Sequence, residues 1–371
     1  MGAEFGTRAV VVTYPDEFSR REILELAKAG GYEVAEVVTQ RMIIRSEYGV
    51  GSGKAQELEG KVAESKSDVI IIDESVTSAQ ANNLSKLTHV AVIDRERLIL
   101  NIFAKRAATT EAKLQVQLAE LRYQLPRARD EVRHSTKGEQ AGFMGMGEYE
   151  VDVRFRTLKR QMGFVKQKLE KTRTARDLHA AERKKLGVPF VSLAGYTSSG
   201  KTTLFNRLTA ESKEISPDLF TTLTTTIRMV TFPKSKSRVL LSDTVGFISR
   251  LPAYLVESFK STLDELRHAD LVLLMVDASE SSESIGIKLT SCRDTLSELE
   301  VDPAKVILVL NKVDLLDSKT RAEIQADPLF SDYTTVKVSA VRGDGMRQLR
   351  NRILELAGGR RESRAAVQGK R

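Results

Sequence analysis

The stretch Gly195-Tyr196-Thr197-Ser198-Ser199-Gly200-Lys201-Thr202 follows the apolar run PFVSLA and opens the helical pattern KTTLFNRL. Two glycines at that spacing let main-chain N–H groups close around phosphate oxygens, and the N-terminus of the helix adds favourable partial charge. Residues 195–203, Thr203 included, are therefore expected to line a nucleotide's phosphates. The Lys201 ammonium would bridge the β- and γ-phosphates, and the Thr202 hydroxyl would ligate Mg²⁺. Downstream, VILVLNKVDLL carries Asn311-Lys312-Val313-Asp314 at the end of a buried-type strand. A carboxylate at Asp314 can accept both N1–H and the exocyclic N2–H of guanine. Adenine offers no such pair of donors, so ATP would leave a buried charge unpaired. Asn311 would brace the loop and Lys312 would lie over the base. Ser339 and Ala340, after the strand TTVKV, fit the loop whose Ala340 N–H reaches guanine O6.

Between these motifs lies DTVGFISRLP, Asp243 to Pro252. Asp243 is placed to hold Mg²⁺ through water, and the Gly246 N–H to read the γ-phosphate. Phe247 stands where a glutamine could hold the attacking water, and a phenyl ring cannot hydrogen-bond one. It reads either as a core residue anchoring the segment or as a retracted gate. Both readings predict slow hydrolysis, since a small GTPase that keeps the glutamine turns over unaided at only about 10⁻⁴ s⁻¹. Upstream, DLFTTLTTTIRMVTF opens with a cluster of five threonines, Thr221, Thr222 and Thr224 to Thr226, for the mobile residue that closes on Mg²⁺ and the γ-phosphate, and spacing alone does not choose among them. His89, His134, His179 and His268 follow no metal-ligand spacing, and no Ser/His/Asp set is apparent.

These loops need strands and helices to hold them. The first hundred residues alternate RAVVVTY, DEFSRREILELAKAGG, EVAEVV, DVIIID and AVIDRERLILNIFAKRA, which predicts a small α/β domain with a largely parallel sheet. Within it YGVGSGKAQELEG resembles a phosphate loop at Gly49, Gly51, Gly53 and Lys54. Yet Tyr48 stands where the first glycine would fall, and Ala55 replaces the Mg²⁺-binding hydroxyl. It reads as a turn capping a helix, or as a weak nucleotide or RNA contact. From Thr110 a helical pattern runs to about Gln124, where Pro126 is expected to interrupt it. A glycine-rich loop, Gly138–Glu150, and about eight further helical turns follow. The pair predicts an antiparallel helical hairpin. The expected division is an α/β domain over 1–108, a helical arm over 109–186, a P-loop GTPase domain of Ras-like α/β type over 187–358, and a basic disordered tail over 359–371.

The composition is ordinary for a soluble protein, with 41% hydrophobic and 29% charged residues among 371. The single cysteine, Cys292, can form neither an internal disulfide nor a Cys-rich metal site, which favours a reducing, cytoplasmic setting. Apolar runs such as LVLLMV are too short to span a bilayer, and no secretory signal or membrane partner is expected. The net charge of +8 is uneven: Val151–Lys185 carries twelve Lys/Arg against four Asp/Glu. A basic arm points to a polyanion, most simply RNA; it also reads as a solvated helix.

GYTSSGKTTLFN, LFTTL and DTVGFISRLP together resemble the HflX family of ribosome-associated GTPases. The likeness continues through KLQVQLAELRYQLPR and the glycine loop, and so covers nearly the whole chain. It selects Thr222, flanked by Phe220 and Thr221, as the Mg²⁺-closing threonine. Where the family reads GPGETQLE this chain has GMGEYEVD, keeping Gly145, Gly147 and Glu148, a departure that marks an archaeal-type member. Together with the motifs and the single cysteine, the resemblance gives the expectation of a cytoplasmic, monomeric GTPase with Mg²⁺ as cofactor and GTP and GDP as substrate and product. Its partners would be the large ribosomal subunit and rRNA. It implies GTP-gated binding, hydrolysis stimulated by the subunit, and in bacterial members ribosome splitting. An assembly or anti-association factor, or a signalling GTPase with no RNA partner, are the alternatives.

Overall fold

The computed structural model describes residues 6–43, 46–135, 146–185, 187–211, 219–220, 223, 225–232 and 237–356, with the backbone alone at 129–135, 146–152, 173–185, 261 and 325. Thr221, Thr222 and the basic tail lie outside the described residues, as does the first part of the glycine-rich loop, residues 138–145. The chain forms two compact units, Met1–Thr172 and Arg173–Arg371.

The first unit begins with β1 (Thr7–Thr13), α1 (Glu17–Ala29), β2 (Tyr32–Thr39), α2 (Ser52–Ser65), β3 (Val69–Ile72), α3 (Ser78–Thr88), β4 (Ala91–Asp94) and α4 (Arg95–Arg106). The strands pair in the order β2-β1-β3-β4, all parallel, as the helical crossovers require. Apolar runs such as VVV in β1 and VIII in β3 are buried on both faces of the sheet. Asp16 caps α1 by accepting from Ser19 N. At the carboxyl ends of the strands Arg95 bridges two buried carboxylates, Asp73 at 2.7 Å and Glu22 at 2.5 Å, and Thr13 donates to Asp73. Lys54 of the glycine turn pairs with Glu57, and Gly51 is the N-cap of α2, so this segment is a helix entry.

Helix α5 (Thr110–Ser135) does not stop at Pro126, contrary to the sequence expectation. A proline removes one helical hydrogen bond, and tertiary anchoring outweighs that loss here. Arg127 pairs with Asp94, donates to Val76 O and Tyr123 O, and lies over the Tyr123 ring. Helix α6 (Met146–Lys185) starts inside the expected glycine loop. The two helices pack through Leu118, Leu121, Leu158 and Val165.

The second unit contains β5 (Phe190–Gly195), α7 (Lys201–Thr209), β6 (Thr226–Phe232), β7 (Ser237–Asp243), α8 (Ala253–Ser258), α9 (Lys260–His268), β8 (Leu271–Asp277), α10 (Ser282–Glu298), β9 (Val306–Asn311), α11 (Ser318–Glu323), β10 (Thr334–Lys337) and a last helix over 346–356. Its sheet runs β10-β9-β8-β5-β7-β6, with only β6 antiparallel. The nucleotide motifs all sit where β5, β7, β8, β9 and β10 end, in the crevice an open parallel sheet offers.

Candidate nucleotide site

The loop between β5 and α7 is shaped by its two glycines. Gly195 has φ 142°, and a Cβ there would fall 2.5 Å from Met275 O. Gly200 has φ 93°, and its Cβ would fall 2.2 Å from Asn311 Nδ2. Ser198 also takes a left-handed φ of 60°, and Ser199 is buried. Lys201 folds back over the loop, donating to Gly195 O at 3.0 Å and Tyr196 O at 2.7 Å. Burial lowers its ammonium to about 8, against an opposing pull from the Asp243 carboxylate. Thr203 follows in the first turn of α7.

At the end of β7, Asp243 Oδ2 accepts from Thr202 Oγ1 at 3.2 Å. Two hard oxygens at a helix N-terminus form a donor set that suits Mg²⁺ when completed by phosphate and water. Among the described residues no three His, Cys, Asp or Glu side chains form a metal cage. Gly246 sits so close to the loop that a Cβ would meet Thr197 Cγ2 at 2.8 Å and Lys201 Nζ at 3.1 Å.

Phe247 is 1% exposed, which puts its side chain in the core. Its main chain forms a parallel bridge with the phosphate loop: Phe247 N donates to Gly195 O at 3.1 Å, and Thr197 N to Phe247 O at 2.8 Å. The next two residues are held as well. Ser291 Oγ of α10 donates to Ile248 O at 3.0 Å, and Ser249 N donates to Tyr196 Oη at 2.6 Å. Sequence reasoning missed these partners. Nothing about a serine in the middle of α10 marks it, and Tyr196 was read only as a phosphate-loop residue. Beneath them the Cys292 thiol is buried, and burial pushes it up to about 12.

At the base end Asn311 joins two loops, donating to Ser199 O at 2.9 Å and accepting from Ala340 N at 3.0 Å. That Ala340 N–H, expected to face guanine O6, is thus engaged within the protein. Lys312, in a left-handed conformation, pairs with Asp277 at 2.6 Å. The Ser339 hydroxyl hydrogen-bonds to Asp314 and holds its carboxyl below the usual carboxylate range. Arg342 lies 3.9 Å from the same carboxylate. Phe220 is buried with φ 57°; Thr221 and Thr222, which follow it, are outside the described residues.

A phosphate loop, an Asp-x-x-Gly segment and an Asn-Lys-x-Asp loop gathered at the ends of one such sheet define a P-loop GTPase. Three families match in succession: "GTP-binding GTPase N-terminal" over residues 17–104, "GTP-binding GTPase Middle Region" over 106–183 and "50S ribosome-binding GTPase" over 190–312. The GTPase HflX of Thermococcus kodakarensis is 40% identical over 335 residues, covering 88% of this chain and 75% of its own. That of Methanocaldococcus jannaschii is 38% identical over 348 residues, covering 93% and 85%. A crystal structure of the SsGBP–GDP complex matches with a TM-score of 0.52 at 26% identity, over 95% of this chain and 99% of that one. The chain belongs to the HflX family of GTPases and is a GTP-hydrolysing enzyme. Among the described residues no helix is long and apolar enough to cross a membrane.

Proposed function

We propose that this protein is a Mg²⁺-dependent timer: it hydrolyses GTP to GDP and phosphate slowly by itself, and faster on the large ribosomal subunit. The observation that carries this reading is the pairing of an intact phosphate-reading set with a fixed, non-polar Phe247. Lys201, Thr202, Asp243 and Gly246 converge on the loop, while the residue that could steer water is in the core. A pure nucleotide binder has no use for every one of those contacts.

In this reading the loop residues 195–203 bind the phosphates and Lys201 holds the β,γ-bridge. Thr202 and Asp243 would hold Mg²⁺, whose chemistry is to neutralise charge building on the phosphoryl oxygens. Thr222, with Phe220 and Thr221, closes over the γ-phosphate, and Gly246 N–H reads it. Asp314 selects guanine, with Asn311, Lys312, Ser339 and Ala340 shaping the slot. The functional division is an α/β domain over 1–108 and an arm over 109–186 for the ribosome, a GTPase domain over 187–358, and a basic tail. The protein works as a cytoplasmic monomer that contacts rRNA when GTP is bound, and its turnover times ribosome splitting or recycling.

The test is GTP turnover with and without purified large subunits, and with Mg²⁺ chelated. The reading expects slow turnover alone, a rise with subunits and none after chelation. Subunits that bind the GTP form yet leave its rate unchanged would refute it.

A further inference from the structure

One side of α6 is buried against α5: Leu158, Met162, Val165 and Leu169 meet Leu114, Leu118, Leu121 and Leu125. The other side carries Arg156, Arg160, Phe164, Gln167 and Lys171 at steps of four, four, three and four residues, which line one helical stripe. Phe164 is 58% exposed in the middle of it, with Lys168 Nζ 4.4 Å from its ring centroid. Over Val153–Thr172 seven Lys/Arg face a single acid, Glu170.

Next to Phe164 stands Gly163. A glycine inside a helix costs stability, and here a Cβ would meet nothing within 4 Å. The glycine is therefore not required by packing within the chain. It leaves the helix backbone open beside an exposed ring that carries the Lys168 ammonium and has Arg160 one turn before it in the sequence. A lone exposed phenylalanine needs no explanation, and a basic helix by itself only keeps a protein in solution. Ring, cations and an unneeded glycine on one stripe are harder to account for separately. An apolar partner helix would want several anchors at helical spacing, and the stripe has one.

We propose that this stripe is a stacking platform for an unpaired base in RNA. Phe164 takes the base on its ring, Arg156, Arg160, Lys168 and Lys171 take the flanking phosphates, and Gly163 admits the sugar–phosphate chain to the helix surface. The inference rests on the ribosome-binding reading above and names the chemistry that part of the arm recognises.

The experiment uses the full chain with a non-hydrolysable GTP analogue and three probes: purified large ribosomal subunits, an RNA stem-loop with unpaired purines, and a fully paired RNA duplex of equal length. Phe164→Ala is expected to weaken stem-loop binding about 5- to 150-fold, with duplex binding and the salt slope unchanged. Phe164→Trp restores it. Lys171→Gln lowers the salt slope for both RNAs by about one. Gly163→Ala weakens the stem-loop although it favours the helix. Phe164→Ala without effect on the stem-loop, as an acidic protein partner predicts, overturns the proposal, and so does an equal loss on the duplex. If wild type binds subunits and Phe164→Ala binds them equally well, the platform alone falls. If wild type binds neither subunits nor RNA, the ribosome reading falls with it.

Discussion

Asp314 has two donors to satisfy on guanine and a serine, Ser339, that keeps it ionised. Exchanging the carboxylate for an amide removes a charge-assisted pair worth about 1.5–3 kcal/mol. Asp314→Asn should therefore lower GTP affinity roughly 10- to 100-fold and shift preference toward XTP, read by competition against a fluorescent nucleotide. Gly200→Ala should weaken GDP and GTP alike, because its Cβ would run into Asn311, the side chain that joins the two loops. Lys201 gives a pH prediction. Without nucleotide, burial penalises the charge and lowers its amine to about 8. Phosphates at that amine favour the charged form, so its pKa rises on binding. Below pH 8 the amine is protonated in both states; above it, binding must take up a proton. GDP affinity should thus fall as pH rises past 8. Calorimetry in two buffers of different ionisation enthalpy should show uptake of up to one proton at pH 8.5 and almost none at pH 7. Proton release, or no difference between the two pH values, contradicts it.

At the scale of elements, the strands and the loops that end them were readable because each is local. Period-two or wholly apolar runs, an Asp or Gly cap and a glycine spacing occupy a few adjacent residues. Contacts that close the site are different in kind. Ser291 reaches Ile248 from α10, Asp277 at the end of β8 takes Lys312, and Tyr196 turns its hydroxyl to Ser249. Each pairs residues that only the finished sheet brings together, so no window of sequence contains the signal. Pro126 is the opposite case, a strong local signal overruled by an anchor, Arg127, on Asp94. The buried Arg95 between Asp73 and Glu22 was equally silent in sequence. Removing it would leave two buried carboxylates without their cation, so Arg95→Ala should destabilise the chain by about 3–5 kcal/mol. Denaturant melts of variant and wild type would measure this, and a loss below 1 kcal/mol would mean the ion network contributes little.

At the scale of the whole molecule, the chain combines a nucleotide-reading unit with a strongly basic arm, and the proposed timer needs both. Lys201→Ala should abolish turnover and the GTP-gated contact with the ribosome, while the arm's own charge-driven, salt-sensitive binding to free RNA, which needs no nucleotide, stays in place; filter binding and phosphate release, measured on the same preparation, separate the two. The central claim is that the pocket grips its triphosphate but lacks its own means of placing the nucleophile. The most direct measurement is the single-turnover rate of GTP hydrolysis by the purified chain, titrated with large ribosomal subunits. The account predicts a rate near the unaided small-GTPase value that climbs about 10²-fold or more with subunits. Fast hydrolysis by the chain alone, indifferent to added subunits, would contradict it.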